Sequence, residues 1–582
     1  MHRPVLILIV LAGLALRAAG QQVEVEEYVL ENGMTFLLLP REQEPNSISC
    51  GWIAKVGSVN EHLGITGLSH FFEHMLFKGT TTIGTRDAEA DAEFVARQNA
   101  LNNRLNRLVW EGQYQRYFRG EIDDPWDPAH DTDEMRALRA ELRRLREAHG
   151  ETIVRNEFSR IYTEAGATGL NAATSHDWTI FFVTVPSNKI ELWAWMESDR
   201  LDDPVFREFY AEREVVHEER RMILESSPTG ALDEQFDAMF WRTSSYAWPV
   251  IGLPSDIRSY TRAQFDAYFD VYYRPGNLVG VLVGDFDPET VKPLLREYFG
   301  RLERGGQAPP PIVTLQSPQV AEMRLNGECD CQPQIEVRYH TVPFDHRDSF
   351  ALEIMAELLN GRTGRLYRAM VEGSKIASSV AAGQDSRKYA GAFAFTGAVK
   401  GDAAPEDLER AWYAQLQRLR DGTIPEDELQ KVKNRITAET ARRLQRNDRL
   451  YFELAIYEAL DGWEYINEAP TKLMAVTAAD VRRVAKTYFD KSNRCVAIYT
   501  RRPGGATPEK DPLADLPPVV RRRFEQTLQR LLDGGPRELR RAIAGLEDAA
   551  ANAPNEVKPA MEYMLDRLRE RLAELEAEGD EP

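Results

Sequence analysis

The sequence predicts an α+β fold of two homologous α/β sandwich domains in tandem, and three observations carry that prediction. A helix-to-strand unit occurs twice, segments of alternating apolar residues open the chain, and a Pro-rich stretch separates the two copies of the unit. The repeat is the most informative of the three. Thr261 leads through an amphipathic segment to Tyr272, Tyr273, Asn277 and the apolar run Leu278 to Val283; Thr477 leads to Tyr488, Phe489, Asn493 and the run Cys495 to Tyr499. Thr, Tyr, aromatic and Asn fall at identical offsets, so each copy is expected to deliver a helix, an Asn turn and a buried strand.

In chain order, residues 1–20 combine a basic start, an apolar run from Val5 to Leu16 and the small residues Ala18, Ala19 and Gly20. That pattern reads as a secretory signal peptide, and the apolar run is shorter than the roughly 20 residues a membrane-spanning helix needs. Periplasmic or extracellular placement is therefore expected, with no membrane span in the mature chain. The first domain is expected over 23–303, with early strands at Glu24–Leu30, Thr35–Leu39 and Ser47–Val56 forming the start of a sheet and Asn32-Gly33 turning the first hairpin. Helical spacing at Phe94, Leu101, Leu105 and Leu108, and again at Met135, Leu138, Leu142 and Leu145, predicts a helical insertion over about 86–165, broken at Asp123-Asp124-Pro125. A linker at 304–312 contains Pro309, Pro310 and Pro311; a second domain follows at 313–503 and a helical, acidic tail at 505–582.

Composition bounds the function. A chain of 582 residues with 43% hydrophobic and 28% charged residues is globular and long enough for more than one domain. Its formal charge of −20, which becomes −22 without Arg3 and Arg17, argues against nucleic acid as a partner. The four cysteines make no zinc spacing and no disulfide scaffold, and Cys329 and Cys331 flank a single Asp, too close for easy bridging to each other.

The chemistry concentrates in His70-Phe71-Phe72-Glu73-His74, which follows Gly64 and Gly67. On a helix, residues four apart share a face, so both imidazoles can reach one Zn²⁺ while Glu73 projects beside them. This is an inverted metallopeptidase motif. A hydrolytic zinc needs a third protein ligand, and the acidic segment Phe209 to Arg221 offers Glu212 and Glu219, seven apart and on one face, whereas Glu218 is rotated away. Glu219 is the expected ligand and Glu212 its support, holding a ligand in place. The competing reading of that segment is a solvated helix face, and His217 is expected to play no part.

Together, SHFFEHMLFKGT and EREVVHEERR resemble the insulinase/pitrilysin family, nearest its mitochondrial processing peptidase-like branch. The resemblance covers nearly all of 25–503. It implies a metallohydrolase half-chamber, one Zn²⁺ per chain on His70, His74 and Glu219, Glu73 as the catalytic proton carrier, and endopeptidase or oligopeptidase action on extended or unfolded polypeptide in a closed chamber. Asn171 and Ala172, in Leu170 to Ser175, match the family's substrate-binding edge strand, to which peptide adds as a further strand.

Two departures matter. The 144 residues between His74 and Glu219 exceed the family's usual spacing, an excess the insertion accounts for. In the second half, aligned on Gly364 to Arg368, the positions of a substrate-steadying Arg and Tyr hold Val371 and Ser378. This points to the zinc-bearing subunit of a heterodimer whose homologous partner supplies the pair; Arg362, Arg365, Arg368 and Tyr367 are alternative stand-ins. The rival class is a non-catalytic scaffold, which would be expected to have a broken zinc motif, and a third reading is a peptide-binding member in which cleavage is incidental.

Overall fold

A computed structural model describes residues 22–502, 524, 527–529, 531–532, 534–551 and 558–579. The expected signal peptide at 1–20 lies outside the described residues, as does the start of the tail. The described chain divides into two units, one running to Thr500 and one from Arg501.

The first unit contains two sheets. One holds β1 (Glu26–Val29), β2 (Thr35–Pro40), β3 (Ser47–Ala54), β4 (Thr168–Thr174), β5 (Thr179–Pro186) and β6 (Leu278–Gly284), in the order β1-β2-β6-β3-β5-β4. The other holds β7 (Met323–Cys329), β8 (Gln334–Thr341), β9 (Ala377–Ser386), β10 (Gly391–Val399) and β11 (Arg494–Arg501), in the order β7-β11-β8-β10-β9. In each sheet the strand of the repeated unit, β6 or β11, reaches an interior position late in the chain.

The three early strands lie in one sheet, as expected, and Gly33 in the left-handed region turns β1 into β2, but β2 and β3 are not neighbours within it. Strand β6 enters between β2 and β3, parallel to the former and antiparallel to the latter. The reason is burial: every residue of Leu278–Gly284 is buried, and a strand apolar on both faces stabilises the sheet most from its centre. Gly280 has its Cα position against the Phe36 ring, where a Cβ would come within 2.3 Å of the ring carbons.

The repeat is visible at atomic detail. Thr261 caps the helix Arg262–Tyr272 and Thr477 caps Ala478–Tyr488, each in a reciprocal box with Gln264 or Asp480. Asn277 Nδ2 donates to Tyr272 O at 2.8 Å, and Asn493 Nδ2 donates to Tyr488 O at 2.7 Å, so the same amide closes the same turn before each strand.

The first sheet is covered on both faces. Phe36 and Leu38 point into the core shared with the helix Leu68–Met75, whereas the alternating Leu37 and Leu39 meet Leu450, Tyr451 and Leu454 of the helix Asn447–Leu460 from the second half. The segment after Arg86 is helical as expected, with helices at Ala88–Leu108, Asp133–Gly150 and Glu157–Glu164 and a small core of Leu105, Val109, Trp126, Met135, Leu138 and Leu142. It is anchored by Asp91, which is buried against His149 and receives Arg207 Nε at 2.8 Å; Arg207 also donates to the carbonyls of Lys78, Ile83 and Thr80.

Cys329 and Cys331 are joined in a disulfide, correcting the expectation that they stand too close for easy bridging. The bend at Asp330 sets their Cα atoms 5.2 Å apart, within the range a disulfide spans. Cys50 and Cys495 are free and buried. In the second unit the helices Pro536–Ala551 and Lys558–Gly579 bury Leu539, Met564 and Leu568. Among the described residues no helix is long and apolar enough to cross a membrane.

Candidate metal centre

The motif occupies the helix Leu68–Met75, and the sequence fixes both its start and its rotation. Gly67 precedes it with φ of +88°, and a Cβ there would lie 2.3 Å from the carbonyl oxygen of Ile251. Both facts require glycine. Gly67→Ala is expected to destabilise the fold by about 2 kcal/mol or more, read as a lowered denaturant midpoint. The buried Glu61 carboxylate caps the helix start, accepting from Gly67 N and Ser69 N at 2.7 Å each. Burial pushes this carboxyl up to about 8 against the pull of those N–H groups. Phe71 and Phe72 are fully buried, Phe72 stacking on Phe265 with ring centroids 3.5 Å apart, and that anchoring turns His70, Glu73 and His74 to the opposite face.

Opposite them runs the helix Phe209–Arg220, which presents Glu212 and Glu219. Ligand atoms of His70, His74 and Glu219 lie within 4.8 Å of one another, the one such His, Cys, Asp or Glu cluster found among the described residues. Glu219 Oε2 is 3.4 Å from His74 Nε2, and Oε1 is 3.9 Å from His70 Nε2. Donors about 3.3–3.5 Å apart are what a tetrahedral zinc with bonds near 2.0–2.1 Å would require, so two imidazoles and a carboxylate of this spacing fit that ion. His74 Nδ1 meets Glu212 Oε1 at 2.9 Å, which leaves Nε2 for a metal, and Glu212 Oε2 accepts from Lys78 Nζ at 2.6 Å. His70 Nδ1 is buried without a hydrogen-bond partner.

The electrostatics separate the two histidines. Burial, reinforced by His74, pulls His70 down to about 4, with Glu219 opposing. Burial works the same way on His74, but its hydrogen bonds to Glu212 and Glu219 outweigh it and push the imidazole up to about 9. Glu212 is held down at about 2: burial would raise it, and the contacts from His74 and Lys78 prevail. The hydrogen bond with His74 lowers Glu219.

Glu73 is raised, chiefly by burial, against a hydrogen bond at 2.7 Å from Thr174 Oγ1 to its Oε2. Thr174 went unrecognised as a site residue in the sequence, although it lies within the segment Leu170 to Ser175. Thr174→Val preserves shape and removes the donor. We expect a loss of about tenfold in kcat/KM and a shift of the acid limb of the pH profile to higher pH, since the bond that holds Glu73 down is gone. Steady-state kinetics across pH checks both.

Thr174 belongs to β4, which pairs on one side with β5 and is the last strand of its sheet. Asn171 is exposed and lines a cavity of about 600 Å³ together with Glu73, His74, Phe77 and Glu212; Ala172, next in the strand, turns its methyl into the core. The far wall of that cavity is residues 153–159, contributed by the insertion. His217 accepts from Arg258 Nε at 3.0 Å and stays out of the cluster.

A family model described as "Insulinase (Peptidase family M16)" matches residues 37–103, across the motif helix, and one described as "Peptidase M16 inactive domain" matches 259–436. The zinc protease PqqE of Helicobacter pylori is 24% identical over 504 residues, covering 85% of this chain and 97% of its own. Both models describe the insulinase family, and the chain is similar to it over these two segments. Two solved structures share the fold: a protease from Helicobacter pylori has a TM-score of 0.67 at 22% identity, covering 82% of this chain and 99% of that one. The periplasmic protease PqqL from Escherichia coli has a TM-score of 0.61 at 17% identity, covering 87% of this chain and 50% of that one.

Proposed function

We propose that the chain is an exported zinc-dependent peptidase, nearest the mitochondrial processing peptidase-like branch, that hydrolyses extended peptides. The observation carrying this reading is the convergence of His70, His74 and Glu219 beside Glu73, under the free edge of β4. Relatives named as zinc proteases support the metal, and a periplasmic relative supports export together with the N-terminal pattern.

His70, His74 and Glu219 would hold one zinc, which when bound supplies Lewis acidity toward a water and the scissile carbonyl. The chain's own residues do the rest. Glu73 takes a proton from the attacking water and returns it to the leaving amine, a role that burial favours by raising its carboxyl toward the working pH. Glu212 fixes the His74 ring through Nδ1. Backbone groups of Asn171 and Ala172 on β4 would pair with the peptide as an added strand, and the 153–159 wall bounds its side chains.

The reading includes a homologous partner subunit. Val371 and Ser378 stand where a substrate-steadying Arg and Tyr are expected, and Arg365 is engaged by both carboxylate oxygens of Glu428 at 2.9 and 2.6 Å, which removes one stand-in. The test is zinc content and cleavage of a quenched unstructured peptide by the purified chain. Zinc near one per chain with cleavage by the chain alone discards an obligate partner, zinc without cleavage supports one, and absence of zinc binding at these residues sinks the reading.

A further inference from the structure

We propose that Arg200 is a positioning residue for the peptide: from behind the cavity beside the metal centre, its guanidinium sets the Phe77 and Phe158 rings that line it, and so governs which side chains the cavity takes. The proposal rests on reading that cavity as the place of the substrate.

Arg200 comes from the helix Ile190–Asp202 and is 1% exposed. Its guanidinium carbon lies over four rings, 4.5 Å from the centroid of Phe181, 5.0 Å from Phe158, 5.3 Å from Trp52 and 5.4 Å from Phe77. Each ring belongs to a different element: Trp52 to β3, Phe181 to β5, Phe158 to the helix Glu157–Glu164 of the insertion, and Phe77 to the turn after the motif helix. A planar cation over ring faces is held by their quadrupoles, more strongly where water is excluded.

The hydrogen bonding fits that placement. Nη2 donates to Glu197 Oε2, and Glu197 also accepts from Trp52 Nε1 and from the Tyr162 hydroxyl at 2.7 Å each. Nε and Nη1 are buried with no hydrogen-bond partner. Donors without an acceptor in a core are costly unless something else meets them, and here the rings do.

Two of the four rings are also cavity wall. Phe77 and Phe158 meet edge to face with centroids 6.2 Å apart and line the cavity of about 600 Å³ with Glu73 and His74, whereas Arg200 does not reach it. The motif helix leads into Phe77 and the insertion carries Phe158, so Arg200 fills the space behind the junction of two separate elements. A close-packed interior has little slack. A narrower group in place of the guanidinium lets the two rings sink toward it, which reshapes the cavity and leaves Glu73 and the three ligands untouched.

The test is equilibrium binding of two unstructured peptides, one carrying phenylalanines among polar residues and the other alanine at those positions. Fluorescence anisotropy reads it on the zinc-loaded full chain carrying Glu73→Gln, so that no peptide is consumed. The phenylalanine peptide is expected to bind about tenfold more tightly. Arg200→Lys keeps a cation for Glu197 but puts no planar group between the rings; it should cut that preference to about twofold and leave the affinity of the alanine peptide unchanged. Arg200→Met combined with Glu197→Gln removes both charges together and should do the same. Thermal melts show which of these variants folds, and either one suffices. A preference that survives in a folded variant, equal losses for both peptides, no preference in the parent, or unfolding of both variants overturns the proposal. Cleavage is read separately on the chain without Glu73→Gln, so a chain that binds and does not cleave sinks the peptidase reading while the binding ratio still decides the role of Arg200.

Discussion

Glu73→Gln is expected to cut peptide cleavage by about 10²–10⁴-fold while zinc content stays at the wild-type level. Glu73 sits one residue before His74, on the same face of the motif helix, yet outside the cluster of three donors that lie close to one another. A glutamine at this position fills the same volume and can still accept from Thr174 Oγ1, so the helix, the two histidines and Glu219 keep their places. What disappears is the ability to take up and return a proton. The wild-type acid limb should fall above the ordinary glutamate value, because burial raises this carboxyl and Thr174 only partly restores it. Kinetics with a fluorogenic unstructured peptide, paired with metal analysis of the same sample, read both quantities. Retained cleavage would remove Glu73 from proton transfer, and joint loss of zinc and activity would make it a ligand instead.

What the sequence made legible follows from what leaves a local imprint. The motif helix could be read because His70 and His74 must be four apart to share a face, and the two-domain plan because the Asn277 and Asn493 turns repeat with the same spacing. Glu212 and Glu219 could be paired with the histidines because seven residues is two helical turns. Strand order was less accessible. Nothing in the alternation of residues 24–56 announces that a strand more than 200 residues later separates β2 from β3; only the unbroken apolar character of Leu278–Gly284 hints at a central position. Site residues that act through a single polar contact were also hidden. Thr174, Lys78 and Glu61 each carry a group common in loops and strand ends, and their meaning lies in partners 101, 134 and 6–8 residues away. The Cys329–Cys331 bridge depends on a bend at Asp330 that spacing alone did not suggest.

Zinc uptake near neutral pH should release close to one proton from this site, and Glu212→Gln should weaken zinc binding by about 10–100-fold. In the metal-free chain, burial opposes charging of His74, but Glu212 and Glu219 hold it protonated up to about pH 9. His70, pulled down to about 4 by burial and by His74, is already neutral. A metal can use only the neutral ring, so His74 must lose its proton while His70 has none to lose. Apparent affinity should therefore climb about tenfold per pH unit through neutrality and flatten near pH 9. The same shift has a stability consequence of definite sign. A histidine raised above its unfolded value of 6.5 contributes stability that is fully present below pH 6.5 and is lost as pH rises through about 9, so the metal-free chain should lose stability across that window. Glutamine at 212 can still accept from Nδ1 but carries no charge, so it lowers His74 and reduces the proton release along with the affinity. Titration calorimetry in buffers of different ionisation enthalpy separates the two effects. Release of two protons, or a pH-independent affinity, would mean that Glu212 does not govern the charge of His74.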